Sequence, residues 1–404
     1  MRLKDISILS PRYSGHNFED TVAFVPMECL REDSIEQKEI TVAEGNAKYT
    51  FFANNDLLIA KVTPCFENGN IAVAKNLKGG IGFGSSEIFV LRFNKSINPR
   101  YMFYLTESSS FQDKACATMC GVGGLKRISP LIMRTYEADF PLLDKQNSIV
   151  AYLDKQIKTI NERIGLRERE LHSLIKLKIS QINTVITRGL NPNVLMKDCD
   201  IKWIGQIPAH WEVKRMKDLF IESKSISNTG LEDLLSVSEY YGVARRADKM
   251  TEDEEYESRA DSLVGYKLCR KNDLVINIML AWKKGLGISD YDGIVSPAYA
   301  VYKSHNIIPH YYHYLLRSDQ YIAEFKRNSK GIIDSRLRLY TDRFYSIPAI
   351  YPPIEEQQII ANYLDKHNEV IDKKLSNISK QIEKLKLLKK ALINEVISGQ
   401  RPIK

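Results

Sequence analysis

A repeated segment constrains this chain more than any other feature. Residues 141–155 read PLLDKQNSIVAYLDK and residues 352–366 read PPIEEQQIIANYLDK. Pro141 returns as Pro352, Gln146 as Gln357, and Tyr152, Leu153, Asp154 and Lys155 as Tyr363, Leu364, Asp365 and Lys366, all at an offset of 211 positions. In a chain of 404 residues that period means one plan used twice.

Each copy opens the same kind of element. After the first, Leu153, Ile157, Ile160, Ile164, Leu171 and Leu174 follow steps of three and four, with Arg167 interrupting. After the second come Leu364, Ile371, Leu375, Ile378, Ile382, Leu385, Leu392 and Val396, interrupted by Asn368 and Lys389. This spacing predicts two long amphipathic helices of coiled-coil type. Both start just past a proline with carboxylates in the first turn (Asp144; Glu355 and Glu356), where open backbone amides favour negative charge. Both end near a glycine, Gly189 or Gly399, followed by Pro192 or Pro402. About 43 residues between such signals make a rod of roughly 65 Å. A domain of ordinary size does not enclose such a rod, so the apolar stripe of one helix is expected to cover that of the other. The first helix leaves the first half of the chain and the second returns, so they are expected to lie antiparallel.

Two α+β blocks precede the helices. RLKDI (2–6) is answered by RMKDL (215–219), NNDLLIAKV (54–62) by KNDLVINIM (271–279), and FGSSEIFVLR (83–92) by VSPAYAVYK (295–303). These are short apolar runs bounded by turn residues, hence strands. NPRYMFYLTESSSFQDKA (98–115) and IPHYYHYLLRSDQYIAEF (308–325) read as helical, each with a proline near its start. The expected division is 1–140 first block, 141–190 first helix, 191–212 linker, 213–351 second block and 352–404 second helix. The loops differ between copies. TPCFENGN stands where the second block has LAWKKGLG, and the second block adds an acidic stretch at 247–262. Equal platforms with unequal loops are suited to contacting two related but chemically distinct things.

Composition sets further bounds. No run of roughly eighteen uncharged apolar residues occurs, and MRLKDISILSPR lacks the apolar core of a secretory signal. Six scattered cysteines fit free thiols, and a cytoplasmic location is expected. A formal charge of +8 permits nucleic-acid binding without requiring it.

Catalytic and metal patterns fail one by one. GGIGFGSS (79–86) lacks the Lys-Ser/Thr of a phosphate loop and does not match G-x-G-x-x-G. In YPPIEEQ, Tyr351 stands where an amino-methyltransferase would need Asp or Asn, so the prolines read as a rigid lead-in to the helix. His310 and His313, beside His305, sit among tyrosines rather than carboxylates. Cys116 and Cys120 are too isolated for a zinc set, and Asp20 with Glu36 and Lys38 is a nuclease-like combination common by chance. No catalytic residue, cofactor site or metal site is expected.

Basic loops are better candidates for nucleic acid. Lys61 ends an apolar strand, and Lys126 and Arg127 follow the glycine-rich GVGG. In the second block, Lys283 and Lys284 follow Trp282 after another apolar strand. Lys330 precedes Gly331, and Arg336 and Arg338 are two apart, expected on one strand face. Glycine permits close backbone approach, and Arg or Lys at loop tips reach phosphates or guanine edges. A solvated basic surface is the plain alternative.

WIGQIPAHWEVKRMKDL (203–219), the two helix lead-ins, and the ends INTVITRGLNP and LINEVISGQRP together resemble the specificity (S) subunits of type I restriction-modification systems. The order block, helix, block, helix carries the likeness over essentially the whole chain. The first block departs from it by lacking the WIGQIP-type leader. The resemblance implies an α+β fold: two target recognition domains joined and separated by two long antiparallel helices forming a coiled coil, with internal pseudo-two-fold symmetry. It implies a non-catalytic subunit that binds double-stranded DNA, two methyltransferase subunits and restriction subunits. S-adenosylmethionine, ATP and Mg would belong to those partners. Gln146, Tyr152, Gln357 and Tyr363 are expected at a subunit interface. A specificity partner of a fused restriction-methylation enzyme, or a cytoplasmic coiled-coil scaffold binding proteins, are the competing readings. If the DNA reading holds, the rods imply a split, asymmetric target with a gap of unread pairs.

Overall fold

Both lead-ins start a long helix, one over Leu143–Arg188 and one over Ile354–Ile397. At 46 and 44 residues they are about 69 and 66 Å long at 1.5 Å per residue. Gly189 and Gly399 end them with φ of 75° and 77°, and their amides bond back to Val185 and Val396. The left-handed conformation, free of Cβ strain in glycine, is the ordinary way to stop a helix. The computed structural model describes residues 1–15, 17, 19–122, 124–246 and 262–403. Of the acidic stretch expected at 247–262, all but Ser262 lies outside the described residues.

The chain forms two units, and each contains the beginning of one long helix and the end of the other. Met1–Arg169 with Ile378–Lys404 make the first, and Glu170–Asn377 the second. In the first, Ile149, Leu153, Ile157 and Ile160 share one core with Leu392, Ile393 and Val396. In the second, Ile186 shares a core with Ile360, Ala361 and Leu364, while Lys178 bonds Asp372 at 2.5 Å and His367 bonds Gln181 at 2.8 Å. Start against end is an antiparallel pairing in both units.

The same sheet is built twice. Ser7–Leu9, Ile88–Phe93, Leu57–Ala60 and Ile71–Val73 lie side by side in that order, all antiparallel. The second unit repeats the order with Phe220–Glu222, Tyr299–Ser304, Leu274–Asn277 and Leu286–Ile288. Identical turns lead into the central strands. Asn55 and Asn272 take φ of 71° and 72°, and the next residue, Asp56 or Asp273, accepts a backbone N–H three residues back at 2.7 or 2.8 Å. Asparagine tolerates that conformation and aspartate closes the turn, which is why N-D recurs before both apolar runs. The first unit adds a mixed sheet of Lys38–Thr41, Thr21–Val25, Ile81–Gly84 and Thr50–Ala53.

Each expected 98–115 and 308–325 helix is in fact two. Pro99–Glu107 gives way to Ser109–Cys116, and Pro309–Leu316 to Asp319–Asn328. Ser108 and Ser318 adopt extended backbone between them, each with its hydroxyl on the carbonyl three residues back, Leu105 or Leu315. Residues 191–212, expected to link, are built into the second unit. Met196–Asp198 pairs with Gln206–Pro208, and Ile204, Ile207 and Trp211 lie in the core. The Trp211 indole donates to Glu356 at 2.9 Å, so a first-turn carboxylate of the second long helix anchors this segment.

Gln146 and Gln357 do not face another subunit. Each is buried inside its own unit, with its Oε1 accepting from the backbone N–H that precedes a helix, Asn98 at 2.8 Å or Ile308 at 2.9 Å. The amide nitrogen returns to the lead-in carbonyl of Pro141 or Pro352, at 2.8 Å in both. Glutamine recurs because only a side chain with both a donor and an acceptor can clamp block to helix here. Gln357→Ala leaves a part-buried N–H and a buried C=O unpaired. It is expected to cost about 2–4 kcal/mol, read as a lower urea midpoint for the second unit.

Candidate nucleic-acid interface

In the first unit Lys61, Lys126 and Arg127 meet where the strand Leu57–Ala60 ends. The Lys61 carbonyl accepts from Ile128 N at 3.0 Å, and Thr63 N donates to Lys126 O at 2.9 Å. The Thr63 hydroxyl donates to Gly124 O at 3.0 Å and accepts from Lys126 N at 2.9 Å. These bonds dock the hairpin of Cys120–Val122 and Leu125–Arg127 onto the strand end. Gly121 takes φ of 154°, and a Cβ there would sit 2.2 Å from Leu125 O, so only glycine fits.

The three cations differ in availability. Arg127 holds both oxygens of Glu87, at 2.9 and 3.0 Å, which keeps that carboxyl below its usual range. Lys61 donates to Ser86 O at 2.6 Å and lies 4.6 Å from the centre of the Phe89 ring, and burial lowers its pKa. The Lys126 side chain is exposed on the hairpin. Thr63 and Glu87 escaped sequence reasoning. A lone threonine gives no signal, whereas Glu87 between FGSS and an apolar strand was a readable one.

The second unit repeats the docking with other side chains. Leu339 N donates to Ile278 O at 2.9 Å, as Ile128 does to Lys61, and Lys330 and Arg338 exchange two backbone bonds of 2.9 Å. Gly331 repeats the φ of 154°. Arg336 and Arg338 do not share a strand face. Asp334–Arg336 forms a 3-10 turn, with Arg336 N on Ile333 O at 2.8 Å and the Asp334 carboxylate on Lys326 at 3.0 Å. Arg336 is therefore exposed on the turn, while half-buried Arg338 sits on the bridge and donates to Leu337 O at 2.8 Å.

Lys326, which sequence reasoning missed, ties this loop to the other basic one. Besides Asp334 it lies 4.9 Å from the centre of the Trp282 ring, as Lys283 does. Trp282 is fixed by its indole N–H on Met279 O at 3.0 Å. Lys284 turns away to Asp319 at 2.8 Å, and Lys330 lies 3.8 Å from Asp342. Trp282 thus gathers Lys283 and Lys326, and Lys326 reaches through Asp334 to the turn that carries exposed Arg336.

The H-x-x-H pair is structural. His313 is half-buried and accepts the Ile288 N–H at 3.3 Å, and desolvation pushes its pKa down to about 3. His310 pairs with Asp290 at 3.4 Å, which raises the pKa of the imidazole. Among the described residues no group of three or more His, Cys, Asp or Glu side chains is placed to hold a metal ion. Nor, among them, is any helix long and apolar enough to cross a membrane.

The long helices expose apolar side chains, though not all of those the spacing suggests. Ile149, Ile186 and Ile360 are consumed by the cores of their own units. In the second unit Ile175, Leu177, Ile179, Ile359 and Tyr363 stay exposed, with the Tyr363 ring stacked on His367 at 5.4 Å. In the first unit Leu166, Leu387 and Leu388 are exposed, while Tyr152 packs half-buried against the core.

One buried acid lies outside these faces. Glu107 lines a cavity of about 600 Å³ in the first unit, and its Oε1 has no hydrogen-bond partner. Burial and then the charge of Glu32 push its pKa up to about 8, against the pull of Lys389 and Lys390. A carboxyl raised in the folded state holds its proton there but loses it in the unfolded chain near pH 4.5, so stability falls between pH 4.5 and 8. Glu107→Gln is expected to raise the melting temperature at pH 8, corresponding to a few kcal/mol at most. The advantage should vanish by pH 4 in calorimetric scans.

Residues 208–384 match the family described as the type I restriction modification DNA specificity domain. The specificity subunit of the type I restriction enzyme EcoEI of Escherichia coli is 33% identical over 157 residues, 38% of this chain and 26% of that protein. The EcoAI specificity subunit of the same species is 34% identical over 152 residues, 37% of this chain. This chain thus spans 26% of the length of either E. coli relative. The MjaVIII specificity subunit of Methanocaldococcus jannaschii is 22% identical over 329 residues, 77% of this chain and 72% of that protein. Among solved structures, a chain described in terms of complex assembly and conformational transition of the type I R-M system superposes with a TM-score of 0.73. That match has 15% identity over 98% of this chain and 96% of the other. The HsdS subunit from Thermoanaerobacter tengcongensis gives 0.51, at 17% identity over 99% and 96%. At such identities the superpositions speak for the fold, two domains linked by long helices.

Proposed function

We propose that this chain is a specificity subunit of a type I restriction-modification system, a non-catalytic DNA-recognition and assembly subunit, in keeping with the specificity-domain match over residues 208–384 and the specificity-subunit relatives. Each α+β unit reads one half of a bipartite, asymmetric duplex target. The long helices set the gap and seat two methyltransferase subunits, with restriction subunits joining the complex. S-adenosylmethionine, ATP and Mg belong to those partners, which carry out adenine methylation and cleavage.

The observation that carries this reading is the hairpin docked on a central strand end, built twice around Gly121 and Gly331 and furnished differently each time. Lys61, Lys126 and Arg127 furnish one; Lys283, Lys330, Arg336 and Arg338, with Trp282, furnish the other, Lys284 being turned to Asp319. Cations on loops held by rigid strands suit phosphates and guanine edges. Different side chains on one scaffold suit two different half-sites. On the helices, Ile175, Ile179, Ile359 and Tyr363 supply apolar surface for a partner.

The test is methylation mapping of DNA exposed to the chain assembled with a methyltransferase partner. Two specific runs separated by a fixed unread gap are expected. A contiguous palindromic site would overturn the two-reader assignment.

A further inference from the structure

The tip of the second hairpin carries a feature that charge does not explain. Ile332 is 100% exposed and Ile333 54% exposed, in tandem at the outermost point of the loop. Turn positions are ordinarily filled by polar residues or glycine, and neither isoleucine contributes to a core of this unit. The loop is nevertheless held in place. Its base is closed by the paired bonds of Lys330 and Arg338, its far side by the Asp334–Arg336 turn, and the turn is tethered through Lys326 to Trp282. The same loop carries Lys330, 3.8 Å from Asp342, and exposed Arg336 and half-buried Arg338.

We propose that Ile332 and Ile333 form an apolar wedge that enters a base step of duplex DNA within or beside the half-site read by the second unit. The inference rests on the recognition reading and deepens it. Aliphatic side chains have no donor or acceptor with which to read base edges. What removes them from water on DNA is the space between partly unstacked base pairs, which apolar wedges occupy in other DNA-bending proteins. Exposed Arg336, on the same loop, is placed to meet a phosphate flanking the opened step. A tip held rigid before contact loses little conformational freedom on insertion. The occupant is therefore duplex DNA, engaged by shape and deformability, and flexible pyrimidine–purine steps should be favoured at that position.

The test uses the chain assembled with its methyltransferase partner and duplexes of the mapped target, carrying 2-aminopurine at each position in turn. Binding is expected to raise the fluorescence several-fold at one step on the second unit's side. The rise should disappear with Ile332→Ala/Ile333→Ala and persist with Ile332→Leu/Ile333→Leu, while unfolding profiles of all three proteins coincide. A rise that survives the alanine pair, or one found only at the methylated adenine, overturns the wedge. Loss of affinity that is reproduced by replacing a thymine with uracil, without any unstacking signal, assigns the tip to methyl contact and also overturns it. If the wild-type complex binds its mapped target tightly and shows no rise anywhere, the wedge fails and recognition stands. If it binds no target at all, both fail.

Discussion

Removal of one heptad from each long helix, centred on Arg169 and Ile378 where the chain passes between its units, is expected to shorten the preferred target gap or abolish binding. Seven residues shorten a helix by about 10.5 Å, close to three base pairs of duplex. The same deletion turns the helix by only about 20°, so the apolar seam keeps its partners. Three base pairs also rotate the duplex by roughly 100°, so the readers meet their half-sites on an altered face. Affinity for the best new gap should then be lower by tenfold or more. The bases read at either end should not change, since they depend on loops far from the deletion in sequence. Binding and methylation on a library containing every gap length decide the matter. An unchanged gap would show that the helices are not the ruler.

The rods were legible because their signals are local and redundant: an apolar residue every third or fourth position, a proline before and a glycine after. The strand order was partly legible for a related reason. N-D turns before apolar runs mark the central strand of each sheet, and internal comparison aligned them. What the sequence concealed depends on contacts between distant residues. Gln146 and Gln357 looked like surface positions shared by two helices, yet their meaning lies in the backbone amides of Asn98 and Ile308, almost 50 residues earlier in each case. Glu356 looked like a first-turn carboxylate favoured by the helix dipole, but it also receives Trp211 from the segment read as a linker. At the candidate interface, Lys61, Lys126 and Arg127 were recognisable singly as basic loop residues. That Arg127 is held by Glu87, and that Asp334 folds Arg336 out of the strand, are pairings no spacing encodes. Ile332 and Ile333 stand as two apolar residues inside turn-like KGIID, a mismatch of pattern that the basic residues around them overshadowed.

Gly331→Ala is expected to erase reading of one half-site, and Gly121→Ala reading of the other. At φ of 154° a Cβ on Gly331 would stand 2.6 Å from Arg336 O and 2.9 Å from Leu337 N, and on Gly121 2.2 Å from Leu125 O. These obstacles are backbone atoms and cannot rotate aside. The surrounding chain has little room to yield, since Leu339 N and Ile128 N are bonded to the ends of buried central strands. Relief must come from displacement of the hairpin, which carries Lys330 and Arg336 in one unit and Lys126 in the other. Each lost base contact removes on the order of 1–3 kcal/mol of discrimination, so one displaced contact implies roughly a tenfold or larger loss of preference for the affected half. Unfolding should move little by comparison, because both tips lie outside the cores. The measurement is methylation rate across targets substituted base by base in each half. Independent losses, one half per glycine, are what two separate readers require. Joint loss of both halves from either single substitution would mean that the units do not read separately.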